Sequence, residues 1–368
     1  MANDPKWTDI GAAAQLATQP VQKLSAAGIS IALSFADGEF GAIHNACNHV
    51  NGPLGDGHLD GDYVVCPWHQ WKFHRCTGVG EPGFEGDKVP AFPVKVVDGR
   101  VLVDIANPTR RAKDPHDPHP LAREPRREPG PLRIAFISTT AMDAKAPRFS
   151  GSDHLLNIAM EEARTQGAQT RLIPLEDLNF RNCEGFYSKA ARACTWPCSI
   201  TLMDKTDQMD QVYEAMVHWA DAIIVATPIR WGAASALWFK MAERLNCVQN
   251  QLTTHNKVLL KNKVAGVIII GGQDNIQGVA GQMLGFLAEL GYLFPQFPYI
   301  AHSRGWSRED MERNMDAVRS SKELAEGARD LAQRCLELAG RLIQTDPDAH
   351  KLARGGRKAS QTGERTGV

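Results

Sequence analysis

Residues 47–78 read CNHVNGPLGDGHLDGDYVVCPWHQWKFHRCTG. Cys47 and His49 are two positions apart, Cys66 and His69 three apart, so each pair sits on one tight loop. Two thiolates and two imidazoles are a donor set for zinc or iron. Gly52-Pro53, Gly55 and Gly57 let the first loop fold over a buried centre. Short apolar runs separated by glycine turns flank the stretch: Ile29–Phe35, Phe40–Asn45, Tyr63–Cys66, Val94–Val97 and Arg100–Ile105. Asp98-Gly99 between two alternating runs is a hairpin signal. Residues 1–105 therefore predict an all-β domain.

Beyond it the composition breaks. Ala106–Pro131 holds seven prolines, and Leu121 is its only sizeable apolar side chain. Such a stretch buries no core and reads as an extended, semi-rigid linker at 106–131. Strand and helix patterns then alternate through residues 132–344. Strands are expected at Leu132–Ser138, Thr170–Leu175, Ala222–Thr227, Val264–Gly271 and near Tyr292–Tyr299. Helices are expected at Asp153–Gln166, Thr206–Trp219, Ala233–Leu245, Gln277–Leu290 and Lys322–Ile343. Five strands alternating with helices predict a doubly wound parallel sheet in an α/β domain. The polar, glycine-rich tail, residues 345–368, is expected to be disordered.

The 368 residues carry 41 basic and 42 acidic side chains, a net charge of −1, which gives no reason to expect a nucleic-acid partner. No apolar run reaches the roughly 18 residues of a membrane span. The start, MANDPKWTDI, has no apolar signal region, so a cytoplasmic location is expected. Eight cysteines are too sparse for a disulfide scaffold and read as thiols or metal ligands.

CNHVNGPLGDG, CPWHQWKFHRCTG and the following PAFPVKVVDGRVLVD resemble, in that order, the two ligand loops and closing strands of the Rieske ferredoxin domain. The resemblance covers about residues 6–105. It implies a metal-binding 2Fe–2S site with Cys47 and Cys66 on one iron and His49 and His69 on the other. Trp71 and Phe73 follow His69 where high-potential members carry hydroxyls that donate to the cluster sulfurs. Fewer donors imply a potential near the low end of the range, roughly −150 mV. Neither loop has a second cysteine to form a clamping disulfide. Both departures imply an electron carrier rather than a quinol oxidiser. Cys76, His44, His58 and His74 read as packed or surface side chains. His154, His218, His255, His302 and His350 are not spaced to share a helix face, so no mononuclear oxygenase iron is expected.

In the second half, the loop STTAMDAKAPRFSGSDHLL is rich in hydroxyls and runs into a helix start. Hydroxyls and backbone N–H groups there suit a phosphate monoester, although N-capping by Ser152 alone explains them as well. With the loop GGQDN, the stretch ADAIIVATPIRWGAASALWFKMAERL resembles the flavodoxin-like, NAD(P)H-dependent FMN reductase family over about residues 131–344. That resemblance implies phosphate contacts from Thr139, Thr140, Ser150 and Ser152. It implies contacts to the isoalloxazine ring from Pro228, Ile229, Arg230, Trp231, Gly232, Gly271 and Gly272. Arg230 stands where an aromatic or asparagine is common, and its guanidinium reads either as a partner of the flavin or of the NAD(P)H pyrophosphate, or as a surface charge. Cys183, Cys194 and Cys198 resemble the 4Fe–4S cluster of iron–sulfur flavoproteins, but Phe186 replaces the expected second cysteine. Three thiolates are too few for that cluster, so a structural loop is expected.

A flavin accepts hydride and a Rieske cluster passes single electrons, so the two resemblances together imply a two-to-one electron transformer. The expected enzyme is an NAD(P)H-dependent FMN oxidoreductase that relays electrons through the cluster to a small-molecule or protein acceptor. No catalytic acid or base is identified. The opposite direction, with flavin reducing a quinone, nitro or azo compound, remains open, as does a redox sensor or carrier. The reductase resemblance also implies a homo-oligomer.

Overall fold

The computed structural model describes residues 4–114, 118–143, 145–271, 275–305, 307–345 and 353–354. The chain divides into two compact units. One contains residues 1–117 with Gly185–Ala193, and the other contains 118–184 with 194–368.

The first unit is built from antiparallel strands, as the alternating runs predict. Val21–Ala26, Ile29–Ala36, Glu39–His44 and Ala91–Phe92 form one sheet. Trp7–Ala12 pairs with Arg100–Asp104, which turns back onto Val94–Val97 through Asp98-Gly99, both at positive φ. Ile31, Leu33, Ala42, Phe92, Val101 and Val103 close the core between these sheets. A third sheet, His58–Asp60, Tyr63–Val65 and Lys72–His74, is a small ribbon whose ends carry the two Cys/His loops.

The second unit holds five parallel strands in the order Gln169–Pro174, Arg133–Ser138, Ala222–Ile229, Val264–Gly271, Tyr299–Ser303. That order, with the first strand in chain order lying second, is flavodoxin-like. Val264–Gly271 is buried from end to end and Ala222–Ile229 at every residue but Pro228, which is why they read as apolar runs. Gly151–Thr165 and Lys322–Thr345 cover one face, their apolar stripes meeting Ile134, Phe136, Ile224 and Ile268.

Four expectations need correction. The last strand is Tyr299–Ser303, not Tyr292–Tyr299, because Pro295 and Pro298 remove ladder donors from the earlier residues. The helix expected at Thr206–Trp219 starts at Met209 and continues beyond Tyr213 as a π-helical stretch, Glu214–Trp219. Asn246–His255 and Arg308–Ser320 are helices that the apolar pattern did not mark, the second being rich in charged residues. Finally, residues 106–131 are not a free spacer. Arg111 donates to Asn48 and Ala46 in the first unit, while in the second Leu121 is buried and Arg127 pairs with the buried Asp221. Most of the tail lies outside the described residues; Ala353–Arg354 pairs with Lys257–Val258.

His218 makes the second unit acid-sensitive. Its Nε2 lies 3.2 Å from the Leu121 carbonyl and its buried Nδ1 has no partner. Burial, and then the nearby Arg123, lower its pKa to about 4. Unfolding returns it to an ordinary histidine, so between pH 6.5 and 4 the unfolded chain binds the extra proton. This stabilisation is complete above pH 6.5 and falls away as pH drops towards 4. At pH 5 the loss is about 2 kcal/mol. Urea denaturation at pH 7 and pH 5 should show that drop in the wild type and a smaller one in His218→Gln.

Candidate functional site

The two Cys/His loops share one backbone design. The Cys47 N–H donates to the Gly52 carbonyl and the Asn51 N–H to Cys47. In the second loop the Cys66 N–H donates to Trp71 and the Gln70 N–H to Cys66. In both, the fourth residue after the cysteine is left-handed: φ is 63° at Asn51 and 61° at Gln70. Each cysteine therefore closes a loop of the same size, and the two loops face each other. A Cβ on Gly52 would lie 2.7 Å from the Cys66 sulfur, so only glycine lets the first loop approach the second.

The four expected ligands converge. His49 Nδ1 lies 3.0 Å from His69 Nδ1, and the Cys47 and Cys66 thiols share a hydrogen bond. That bond, with burial, holds the Cys47 thiol well above the usual range. Two buried thiols side by side resist ionising together unless a cation takes the protons' place. Burial also pushes the His69 imidazole below the usual histidine range, which favours the neutral, ligating form. Among the described residues, no three His, Cys, Asp or Glu side chains form a single-ion site. A two-iron centre, in which each iron takes two protein ligands, fits that geometry. The donor set and its spacing therefore suit a 2Fe–2S cluster.

A second layer fixes the first loop. Asn48 donates to Asp87 at 2.9 Å and accepts from Arg111 at 2.8 Å, while Asn45 accepts from the Gly55 N–H at 2.7 Å. Arg111 also places a partly buried cation beside Cys47. Sequence reasoning missed Asn48 and Arg111. Asn48 lies between two ligands and could have been suspected, but nothing in the proline-rich stretch singles out Arg111. Trp71 stacks on His49, with centroids 4.9 Å apart and planes 6° from parallel. None of the eight cysteines is in a disulfide.

At the carboxyl ends of the parallel strands, Thr140, Ser150 and Ser152 come together. Their hydroxyl oxygens form a triangle with sides of 3.1, 3.2 and 3.3 Å. Ser150 caps the helix Gly151–Thr165, its hydroxyl accepting from the Asp153 N–H. A cavity of about 470 Å³ opens there, lined in part by Ser138, Thr140, Arg148, Ser150, Asp153 and His154. Thr139 is placed differently. It is fully buried, and both its carbonyl and its hydroxyl bond to Ser235, the cap of helix Ala236–Arg244. Thr139 thus ties the loop after Ser138 to the loop after Ile229.

Arg230, Trp231, Gly232 and Ala233 make a tight turn with reciprocal backbone bonds between Arg230 and Ala233. Trp231 (φ 54°) and Gly232 (φ 73°) both occupy the left-handed region, as a type I′ turn requires. The Trp231 side chain is 90% exposed, and Arg230 is exposed as well. Pro228 and Ile229 end the strand that leads into this turn. A Cβ on Gly271 would lie 2.7 Å from the Ile229 Cβ, so glycine is required for the two strand ends to pack. Gly272 lies outside the described residues. Asn275, which sequence reasoning missed, is left-handed (φ 102°) and donates to the Gly232 carbonyl at 2.6 Å. Ser235 was missed too, although a serine immediately before an apolar helix is a capping signal.

Cys183, Cys194 and Cys198 lie outside helices and strands, in a stretch flanked by a buried pair. Arg244 holds Asp207 through two bonds of 2.8 and 2.7 Å, and both side chains are inaccessible to solvent. Cys194 accepts from Asn246 at 3.3 Å, and burial pushes its thiol up to about 11.

The Rieske 2Fe-2S domain family matches residues 6–93, the part that contains both ligand loops. The ferredoxin component of a naphthalene 1,2-dioxygenase system from Pseudomonas putida is 31% identical over 101 residues, 27% of this chain and 97% of that protein. The chain belongs to the Rieske family. Residues 144–307 match the NADPH-dependent FMN reductase family. An 8-demethyl-8-aminoriboflavin-5'-phosphate synthase from Streptomyces davaonensis is 26% identical over 174 residues. That match spans 45% of this chain and 60% of the synthase. The solved structure of RosB with a bound riboflavin-phosphate intermediate is 22% identical, with a TM-score of 0.46, covering 59% of this chain and 81% of that one. The protein is an electron-transfer flavin oxidoreductase with a Rieske domain. Among its described residues, no helix is long and apolar enough to cross a membrane.

Proposed function

We propose that the protein takes electron pairs from NAD(P)H at an FMN site and releases them singly through a 2Fe–2S centre to a separate acceptor. The observation that carries this reading is the presence, on one chain, of a paired-loop Cys/His centre and a hydroxyl-lined pocket at the carboxyl edge of a parallel sheet. When bound, FMN supplies the exchange between two-electron and one-electron chemistry.

This chain's residues have distinct parts in the proposal. Thr140, Ser150 and Ser152 offer hydroxyl donors to the phosphate, and the N–H groups that open helix Gly151–Thr165 add their dipoles. Trp231 is held by its turn in a conformation bulky residues rarely adopt, with its ring in solvent, which supports a stacking role at the ring edge of the site. Asn275 and Gly271 keep that turn against the neighbouring strand. Hydride transfer to FMN requires placement rather than a protonating side chain, so positioning dominates catalysis. Cys47, His49, Cys66 and His69 hold the one-electron centre, and similarity to a dioxygenase-system ferredoxin supports a protein acceptor.

Steady-state turnover tests this reading. The holoprotein, given NADH or NADPH and a one-electron acceptor in excess, should turn over continuously. A single round of reduction that then stalls would make it a carrier and defeat the proposal.

A further inference from the structure

Nine residues that interrupt the reductase domain in sequence, Gly185–Ala193, pack with the Rieske unit. They cover one particular ligand. The His69 Nε2 lies 2.5 Å from the Ala193 carbonyl. The Phe186 ring meets the imidazole edge-on, with centroids 5.1 Å apart and planes at 88°. Lys189 donates to the Pro67 carbonyl, two residues before the ligand. As a result His69 is 0% exposed, whereas His49 is half-buried.

A carbonyl only accepts hydrogen bonds, so the His69 proton must sit on Nε2. Nδ1 then carries the lone pair, and Nδ1 is the atom aimed at His49 Nδ1. The bond therefore selects the ligating tautomer and fixes the plane of the ring.

We infer that Gly185–Ala193 is a built-in positioning strap for the Rieske centre: the Ala193 carbonyl holds His69 as a ligand, and Phe186 and Lys189 seat the strap and close that side to outside proteins. A carbonyl on Nε2–H makes the imidazole a stronger donor. Stronger donation favours the oxidised cluster and lowers its potential, adding to the effect expected from Trp71 and Phe73. An acceptor protein must meet the cluster from a side other than His69. The inference rests on the cluster alone and holds for either direction of electron flow.

The test uses the full-length holoprotein, labelled with 15N-histidine and transferred to D2O. NMR follows the Nε2–H signals of the two ligand histidines. One ligand proton should persist at least ~10-fold longer than that of an exposed imidazole, as expected for a buried, bonded group. The double variant Phe186→Ala/Lys189→Ala should lose this protection and show a higher midpoint potential. If every ligand proton in the wild type exchanges like an exposed imidazole, the strap is not a cap. Wild-type protection and potential retained in the double variant would also overturn the inference. Should the double variant lose its cluster, the wild-type exchange alone decides. Turnover is not used as a readout, so failure here is distinct from failure of the NAD(P)H proposal.

Discussion

Cys66→Ser should stop one-electron delivery while leaving the flavin site working. Cys66 is fully buried, shares a hydrogen bond with Cys47, and packs against the position where Gly52 lacks a side chain. Cys47 is itself a ligand, and Cys76 lies beyond the strand Lys72–His74, so neither is a spare thiol for this position. Losing an outer partner of a metal ligand typically costs 10–100-fold, so losing the ligand itself should cost at least ~100-fold in transfer to a one-electron protein acceptor. NAD(P)H oxidation with a two-electron acceptor that takes hydride directly from flavin should stay within about twofold, since positioning at the FMN site is untouched. Iron content, visible absorbance and the two rates measured on one preparation check this. Equal loss of both rates would mean that the Rieske domain is needed for the flavin chemistry itself. An unchanged one-electron rate would mean that electrons leave from the flavin.

The second large effect is expected from Ser150→Asp. Ser150 lines the cavity and caps the helix through its bond from the Asp153 N–H. Aspartate caps helices as well as serine does, so folding should be preserved. Its carboxylate would stand within the hydroxyl triangle, where the phosphate of FMN is proposed to bind. Like charges at such a distance cost several kcal/mol, which predicts a loss of FMN affinity of at least ~100-fold. Ser150→Asn, with the same capping ability and no charge, should retain most of the affinity. Fluorescence titration with FMN, paired with thermal melts, separates binding from stability. Equal FMN affinity in the aspartate variant and the wild type would move the phosphate elsewhere.

Much of this architecture can be read from the sequence because it rests on local patterns. The Cys/His loops are specified by residues a few positions apart, and their ribbon by short alternating runs. Val264–Gly271 is a strand over the residues expected, since a strand buried on both faces must be apolar throughout. Other features depend on contacts that no local pattern contains. Arg111 reaches Asn48 from 63 positions away, and Ala193 reaches His69 from 124. The strap is invisible in sequence because its key group is a backbone carbonyl, which every residue has. Helix Arg308–Ser320 was missed because its short apolar set, Met311, Met315 and Val318, is thin among charged residues, and only Val318 of the three is buried. Thr139 reads like its neighbours in a run of hydroxyls, yet burial against Ser235 gives it a bracing part rather than a place on the cavity wall.

In the proposed function, reducing equivalents from a nicotinamide reach the Rieske centre through FMN on the same chain. An anaerobic titration of the purified holoprotein with NADH and NADPH, followed by visible absorbance and low-temperature EPR, checks this. At least one nucleotide should bleach the flavin bands, and a rhombic Rieske signal should grow in with that bleaching. A flavin that stays oxidised with both nucleotides, or one that is reduced while the cluster stays EPR-silent, would mean that electrons do not follow this path.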